Sequence, residues 1–384
     1  MRQPLNRRAI LAGLGMAGLQ TYAPRAQAAA HQPAYLAPVR ADPGRIRRIT
    51  VCARPFRAAG PRLEVETVGD KRVVHNYGHG GSGWSLSWGS ANLARGLALE
   101  GGTPRCAVIG CGIIGLTSAL KILRSGVATT IYAAERAPFT RSVRATGVWS
   151  PDSRLAASDA VAPGFAARWE AMARDSMEEH RTFVGSPGYP VNVMDMYTLR
   201  AFADQQQAVG PYPSPGRIPF VSYAERVAGL RSIARPLSRS EHRFPVASAS
   251  VTARMTFDVM TYADQLMDTF QREGGVIVTR RFNHPGELSE LTEPVVVNCT
   301  GYGARALFGD LSLVPVRGQV AWLPAQPEVN YALIYNAVIM LPRSQGILVQ
   351  ALGPSRMVGY GLDDETPDWS EAASAVGMIS TLFA

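Results

Sequence analysis

Short apolar runs alternate along this chain with glycine-rich turns and with apolar positions at helical spacing, a pattern that predicts an α/β fold. The clearest unit runs from Cys106 to Leu123. It begins with four small or apolar residues typical of a buried strand, continues through a glycine turn, and ends in an amphipathic run. A second short strand is predicted from Ala128 to Ala133. This order is typical of a nucleotide-binding βαβ unit.

The turn of this unit carries Gly110, Gly112 and Gly115 at the spacing G-x-G-x-x-G. The first glycine permits the tight turn, the second lets the backbone approach phosphates, and the third lets helix and strand pack closely. The N-terminus of the following helix offers N–H groups to an anion. Glu135 lies at the distance where an acidic side chain would accept from ribose hydroxyls. The motif predicts a bound dinucleotide and does not separate FAD from NAD.

About a hundred residues precede this unit, and they contain a second strand–loop–helix pattern. Alternating positions predict a β-hairpin over residues 62–77. A glycine-dense loop, residues 78–83, follows, and residues 84–97 continue at helical spacing. Backbone N–H groups of this loop could contact a flat, anionic ligand edge, although the residues alone leave a purely structural role equally open.

The remaining chain predicts a second domain. Residues 205–219 are rich in Pro and Gln and predict a long loop, for which a lid and a plain surface loop both stay open. The apolar run from Pro294 to Asn298 predicts a buried parallel strand. Alternation over residues 313–323 and 330–350 predicts an antiparallel sheet. We therefore expect a Rossmann-like nucleotide-binding domain with a substrate domain built on a mixed or antiparallel sheet.

The first 28 residues resemble an export signal. They carry Arg7-Arg8 in a basic start, an apolar run from Ala9 to Leu19 that is too short to span a bilayer, and a small-x-small site at residues 26–28. The paired arginines predict a twin-arginine signal, which serves folded proteins, and an ordinary secretory signal is the alternative. We expect a periplasmic or secreted protein, exported folded, with no stable membrane insertion once the signal is removed.

Charge and cysteine content narrow the partners. The formal net charge of the 384-residue chain is +9, and it falls to +5 without residues 1–28, which hold four arginines and no acid. The basic residues are scattered and form no run interleaved with aromatics, so we expect no nucleic-acid partner. The four cysteines form no zinc pattern, and we expect no metal and mostly free, buried thiols.

Several stretches together resemble the D-amino-acid oxidase family of FAD-dependent flavoproteins. Residues 106–151 resemble the family's N-terminal FAD region, residues 257–320 its middle, and residues 335–383 the part after that. Residues 52–91, with CARPFRAAGPRLEVE and HNYGHGGSG, resemble its C-terminal end. Because that last block comes first here, the resemblance implies a circularly permuted chain. The break would place the C-terminus near residues 40–46 in space.

The permuted order implies a division of the chain into seven parts. These are a signal peptide at 1–28, a leader or linker at 29–45, the permuted C-terminal part of the FAD and substrate fold at 46–105, the FAD-binding βαβ core at 106–150, a substrate domain at 151–256 with the long loop 205–219, a return to the FAD domain at 257–312, and the substrate-domain sheet with a terminal helix at 313–384.

The resemblance also implies the chemistry. The family binds FAD and oxidises the Cα–N bond of an amino acid by hydride transfer to the flavin, and dioxygen then reoxidises the flavin with release of peroxide. Arg54 occupies the position of the arginine that binds the substrate carboxylate, and Arg57 reads as structural. Tyr335 matches a tyrosine that caps the carboxylate, whereas Ile339 stands where the family has a second tyrosine. Hydride transfer needs no acid–base residue, and none is assigned.

The same resemblance assigns cofactor contacts. Phosphate and ribose contacts fall on the glycine motif and Glu135, although the family's acid-then-arginine pair matches Glu135-Arg136 only with a one-residue slip. The loop around the pyrophosphate and isoalloxazine falls on Thr140, Ser142 and Gly147. Contacts of backbone N–H groups with the flavin pyrimidine edge fall on Gly80, Gly81 and Gly83. His75 and His79 are expected to order the flavin loop.

Two other functions remain open on the sequence. One is an FAD-dependent amino acid or amine dehydrogenase that passes electrons to a quinone or cytochrome in place of O2. The other is a nucleotide-binding protein without catalysis. The side chain of the substrate and its enantiomer are not determined by these patterns.

Overall fold

A computed structural model describes residues 36–205, 218–353, 355 and 357–384. Two β-sheets, one of six strands and one of eight, organise this part of the chain. The predicted export signal and most of the predicted loop 205–219 lie outside the described residues. The α/β class predicted from the sequence is confirmed, with one largely parallel and one mixed sheet.

The six-stranded sheet holds the glycine motif. Its order is β2-β3-β10-β4-β5-β9, and all neighbours are parallel except β2 and β3. Within the run predicted from Pro294 to Asn298, residues Val295–Asn298 form a central strand of this sheet and are fully buried, whereas Pro294 precedes the strand and is exposed. Numbered in chain order, the strands are β2 (Arg62–Val68), β3 (Lys71–Tyr77), β4 (Arg105–Ile109), β5 (Ala128–Ala133), β9 (Val276–Thr279) and β10 (Val295–Asn298).

The helices of the described residues differ in what they cover. They are α1 (Gly83–Leu99), α2 (Ile113–Leu123), α3 (Phe165–Arg181), α4 (Val259–Arg272), the single-turn α5 (Ala304–Leu307) and α6 (Trp369–Ser380). Residues of α1 to α4 share one apolar cluster with β4 and β10, built around Trp88, Leu116 and Trp169. None of the described helices combines the length and apolarity needed to cross a bilayer.

Helix α3 differs from the predicted division of the chain. The sequence placed residues 151–256 in the substrate domain, yet α3 packs on α1 beside the nucleotide-binding sheet. The reason is a contact between residues distant in sequence: Gly89 of α1 has no side chain, and a Cβ there would lie 2.2 Å from the Met172 carbonyl oxygen. The two helices can therefore approach closely, and Trp169 is completely buried between the elements of the cluster.

The eight-stranded sheet is mixed, in the order β1-β11-β14-β13-β12-β6-β8-β7. Only β12 and β6 are parallel neighbours, and β1 pairs with β11 along its whole length. Strand β1 comes from before the glycine motif and β11 from long after it. The strands are β1 (Arg48–Arg57), β6 (Val191–Arg200), β7 (Arg235–Leu237), β8 (Ser248–Phe257), β11 (Leu313–Leu323), β12 (Ala332–Tyr335), β13 (Val338–Arg343) and β14 (Gly346–Ala351).

The C-terminal helix α6 packs against the first described residues. Val376 and Ile379 of α6 share an apolar cluster with Ala37, Val39 and Ile46. The Tyr331 hydroxyl donates to the Ala37 carbonyl oxygen at 2.6 Å. The C-terminus thus lies near residues 40–46, as the permuted order predicts, and the described end of the leader is part of the packed fold.

Candidate active site

One cavity of about 860 Å³ joins the two glycine-rich segments. Gly80, Gly81 and Gly83, at the start of α1, and residues 110–112, before α2, line it together with Arg54 of β1. Its volume lies within the range of small-molecule and cofactor sites. The central expectation from the sequence, that two distant stretches meet at one cavity, is therefore met by the geometry.

The turn before α2 depends on its glycines. Gly110 has a φ of 108°, and a Cβ there would lie 2.6 Å from the Cys299 carbonyl oxygen. A Cβ at Gly115 would lie 2.0 Å from the Gly110 carbonyl oxygen. Gly112 stands as N-cap of α2 without a side-chain cap, and its missing Cβ leaves room for Ser142. The N–H groups of Ile114 and Gly115 in the first turn of α2 have no partner within the helix, and this positive end of α2 borders the cavity.

In the turn before α1, two of the three predicted N–H contacts with the flavin are not available. The N–H groups of Gly80 and Gly81 donate within the protein, to the carbonyl oxygens of Pro55 at 2.8 Å and Ser153 at 3.0 Å. They line the cavity but do not present these N–H groups to a ligand. Gly83 begins α1, so its N–H belongs to the unsatisfied first turn of a helix. A second helix N-terminus thus faces the same cavity.

The predicted pyrophosphate loop also borders the cavity. Thr140 is buried there, and the Ser142 hydroxyl accepts from the Ile113 N–H at 3.0 Å, tying the loop to α2. Gly147 adopts a φ of 76°, and its carbonyl oxygen accepts from the buried guanidinium of Arg343 at 2.9 Å. Burial lowers the pKa of Arg343 to about 10. Glu135 follows β5, is exposed, and lies at the cavity edge.

Arg54 is a half-buried cation on the cavity wall. Its guanidinium lies over Gly318, where a Cβ would come within 2.1 Å of Nη2, and Nη1 donates to the Arg317 carbonyl oxygen at 3.4 Å. Within the described residues no carboxylate lies within salt-bridge distance of it. Arg57, in contrast, donates to Ser312 and lies 3.8 Å from Asp310. Arg54 is available for an anion, and Arg57 has the structural contacts that the sequence predicted.

The predicted position of the Tyr335 side chain is wrong. The sequence placed its hydroxyl over the substrate carboxylate, but the side chain is buried in the apolar cluster behind the eight-stranded sheet. Side chains alternate between faces along a strand, and its neighbour Ile334 is the residue of β12 that lines the cavity. Ile339 and Gln350, the successive cross-strand partners of Ile334, line the cavity as well. These three residues define the floor of the cavity.

The two histidines of the early segment are structural. His79 borders the cavity but is fully buried, and burial lowers its pKa to about 3. Its Nε2 is hydrogen-bonded to the Ser90 hydroxyl at 2.8 Å, and that hydroxyl donates to the Asn76 side-chain oxygen. The His75 ring is hydrogen-bonded to the side chains of Asn298 on β10 and Glu66 on β2. Both rings order the sheet and loop around the cavity and neither is a solvent-exposed base.

The sequence missed Arg254, which lines the cavity from β8, near the edge of the eight-stranded sheet that lies opposite β1. The available indication was a single arginine inside an otherwise uncharged strand, VTARMTF. Alternation alone does not tell which face of such a strand meets the site. The four cysteines are free and buried, as expected.

Comparison with known proteins gives the class. A family model described as DAO, FAD dependent oxidoreductase, matches residues 105–384. The D-amino-acid oxidase of Streptomyces coelicolor is 30% identical over 282 residues, 72% of this chain and 76% of that one. The D-amino-acid oxidase of Dictyostelium discoideum is 25% identical over 283 residues, which cover 72% of this chain and 73% of that one. The solved structure of an iminodiacetate oxidase from Chelativorans sp. BNC1 is 16% identical, covers 72% of this chain and 79% of its own, and has a TM-score of 0.47.

The cavity is the site of a flavin-dependent oxidoreductase. The chain belongs to the DAO family of FAD dependent oxidoreductases, and FAD is its cofactor. The residues fit the group, because the N-termini of α1 and α2 border the cavity with first-turn N–H groups beyond the Ile113–Ser142 hydrogen bond, and glycines at 110, 112 and 115 leave the space that side chains would fill. The α2 turn and Ser142 would hold the phosphates, and the start of α1 would face the flavin edge.

Proposed function

We propose that this protein oxidises a D-amino acid with dioxygen. In the net reaction an amino acid, O2 and water give a 2-oxo acid, ammonium and H2O2, so the substrate loses two electrons and two protons and its Cα–N bond is hydrolysed. The D-enantiomer rests on the two D-amino-acid oxidases that are similar to this chain. Bound FAD supplies the acceptor for the two electrons.

The observation that carries this proposal is Arg54. A forked, permanently charged donor is the natural partner of a carboxylate, and this one borders the cofactor cavity without an acidic partner among the described residues. A guanidinium fixed over Gly318 can orient the substrate's carboxylate and so hold its α-carbon above the cavity floor. The apolar floor at Ile334 and Ile339 excludes water from the reacting carbon.

In this proposal no side chain of the protein acts as a general base. The two histidines near the cavity are buried and bonded within the protein, and α-amino hydrogens can leave to solvent. The chain's contribution is therefore positioning, desolvation and the positive ends of α1 and α2, which favour negative charge in the cavity.

An anaerobic titration tests the proposal. Purified protein with its yellow cofactor is mixed with D- and L-amino acids without oxygen, and the flavin absorbance near 450 nm is followed. We expect bleaching by D-amino acids and not by their L-enantiomers, and stoichiometric peroxide when air is admitted. Bleaching without peroxide, together with rapid reduction of an added quinone, would favour the dehydrogenase. No bleaching by any amino acid would favour the non-catalytic function.

We also propose that the protein is exported folded to the periplasm or the medium. This rests on Arg7-Arg8 and the apolar run that follows them within residues 1–28. A chain with both arginines replaced by lysine should stay in the cytoplasm with its FAD bound, whereas unchanged export of that variant would leave an ordinary secretory signal as the explanation.

We further propose that the chain is a circular permutant of its family. The family match begins at residue 105, yet β1 to β3 and α1, all from before that point, supply strands to both sheets and a wall to the cavity. The proximity of α6 to residues 37–46 supports the same order.

A further inference from the structure

Arg254 is a second half-buried cation on the cavity wall without an acidic partner in the described part of the chain. It is half-buried on β8, and neither a hydrogen bond nor a salt bridge engages its guanidinium within the described residues. Nearby Asp152 is already paired with Arg231 at 3.1 Å. Burial and the charge of Arg231 lower the pKa of Arg254. A half-buried cation without a counter-charge is stabilised when an anion binds beside it.

The segment 149–153 connects the surroundings of Arg254 with those of Arg54. At one end the Trp149 N–H donates to the Met255 carbonyl oxygen, next to Arg254, at 3.0 Å. At the other end the Ser153 carbonyl oxygen accepts from Gly81, which adjoins the Gly80–Pro55 hydrogen bond beside Arg54. Five residues span at most about 18 Å when fully extended, and this segment turns at 151–154.

The floor between the two arginines is apolar except for Gln350. Met196, Ile334 and Ile339 line the apolar part, so a methylene chain could lie across it between Arg54 on β1 and Arg254 on β8. A neutral or aliphatic side chain would leave the guanidinium of Arg254 without a counter-charge inside the cavity. A carboxylate would pair with it.

We infer that the substrate carries a second carboxylate, so that Arg54 binds the α-carboxylate and Arg254 binds the side-chain carboxylate of an acidic D-amino acid. This inference rests on the proposed function and narrows it to one substrate class. Arg254 acts by recognising the substrate and takes no part in the electron transfer.

Matched substrate pairs test the inference. The kcat/KM of the FAD-loaded enzyme is measured for D-aspartate against D-asparagine and for D-glutamate against D-glutamine, which differ only in charge at the side-chain end. We expect the better acid to exceed its amide by about tenfold or more. In Arg254→Met the value for the acid should fall about 10- to 100-fold, while that for the amide stays within about twofold.

A binding measurement separates recognition from turnover. Succinate and butyrate have the same chain length, and their dissociation constants can be followed through the spectrum of the bound flavin. Wild-type protein should bind succinate more tightly than butyrate, and Arg254→Met should lose that difference while retaining its full complement of FAD. Loss of FAD in Arg254→Met would overturn the inference, because the arginine would then serve the cofactor.

The failures are distinguishable. If neutral D-amino acids reduce the flavin and acidic ones react no better than their amides, the proposed function stands and the second carboxylate site is wrong. If no amino acid reduces the flavin, the proposed function itself fails. An equal fall for acid and amide in Arg254→Met would show a structural role and also contradict the inference.

Discussion

At the scale of single residues, two arginines three positions apart on β1 have different surroundings. Side chains three apart leave opposite faces of a strand. Arg57 meets Ser312, Asp310 and the Gly60 carbonyl oxygen and is held by the protein. Arg54 meets Gly318 and the cavity. The same residue type therefore stabilises the fold at one position and leaves a charge for a ligand at the other.

Replacement of Arg54 by methionine keeps an unbranched aliphatic stem and removes the guanidinium with its charge. We expect KM for the amino acid to rise about 100-fold or more, because a bidentate, charge-assisted contact of roughly 3 kcal/mol is lost. Steady-state kinetics with a saturable D-amino acid measures the effect. The FAD content should stay unchanged.

Arg48→Met is the matched control for Arg54→Met. Arg48 lies on the same strand but is exposed, and its guanidinium lies over Trp322, away from the cavity. Its loss should leave KM unaltered. Equal effects of the two substitutions, or an unchanged KM in Arg54→Met, would remove Arg54 from the substrate site.

The residues that sequence reasoning located and those it missed differ in a physical way. The G-x-G-x-x-G turn was predictable because its chemistry lies in backbone geometry that a short motif encodes. Tyr335 was misplaced because a one-residue change in register moves a side chain to the other face of a sheet. Gly80 and Gly81 line the cavity as expected, but only the structure shows that their N–H groups are already used. Arg254 carried no motif at all.

At the scale of elements, periodicity was sufficient to locate individual strands, whether or not they pair with their neighbours in sequence. The hairpin over residues 62–77 and the strands at 128–133 and 313–323 form as predicted. Helix α3 also forms, but which layer it joins depends on a long-range contact between Gly89 and Met172. The sequence pattern predicts which face of a helix is apolar. It does not predict which element that face packs against.

Two glycines of α1 give opposite predictions for one substitution. Gly89→Ala should destabilise the protein by about 1–3 kcal/mol, because the new Cβ would lie 2.2 Å from the Met172 carbonyl oxygen and force α3 away. Gly96→Ala should stabilise it by up to about 1 kcal/mol, because its Cβ meets nothing within 4 Å and alanine favours the helix.

Denaturant unfolding of the two alanine variants, with FAD at one fixed concentration, measures both effects. Because both sites lie in the same helix, helix propensity is common to them and the difference isolates the contact with α3. A stabilising effect at Gly89 would mean that the helices do not pack as closely as described.

At the scale of the whole molecule, the order of segments and the packed fold are separate matters. Strands from before residue 78 and strands from after residue 294 lie side by side in both sheets. A fold of this kind depends on which segments meet and tolerates different points of chain entry, provided that the cut lies at the surface and the joined ends are close.

A rearranged chain tests this directly. It would begin at Gly101, run to Ala384, continue through ten Gly/Ser residues and end with residues 36–100. The exposed turn at 100–102 supplies the cut, and Leu36 and Phe383 pack on the same apolar cluster, so a flexible linker reaching about 17 Å should close the gap. We expect this chain to be soluble, to bind FAD with the spectrum of the parent and to keep its KM. A control chain opened at Ser87, inside the buried helix α1, should not fold. If the chain opened at Gly101 fails as the control does, the continuity between residues 100 and 105 is essential, and the family fold does not tolerate a cut at this place.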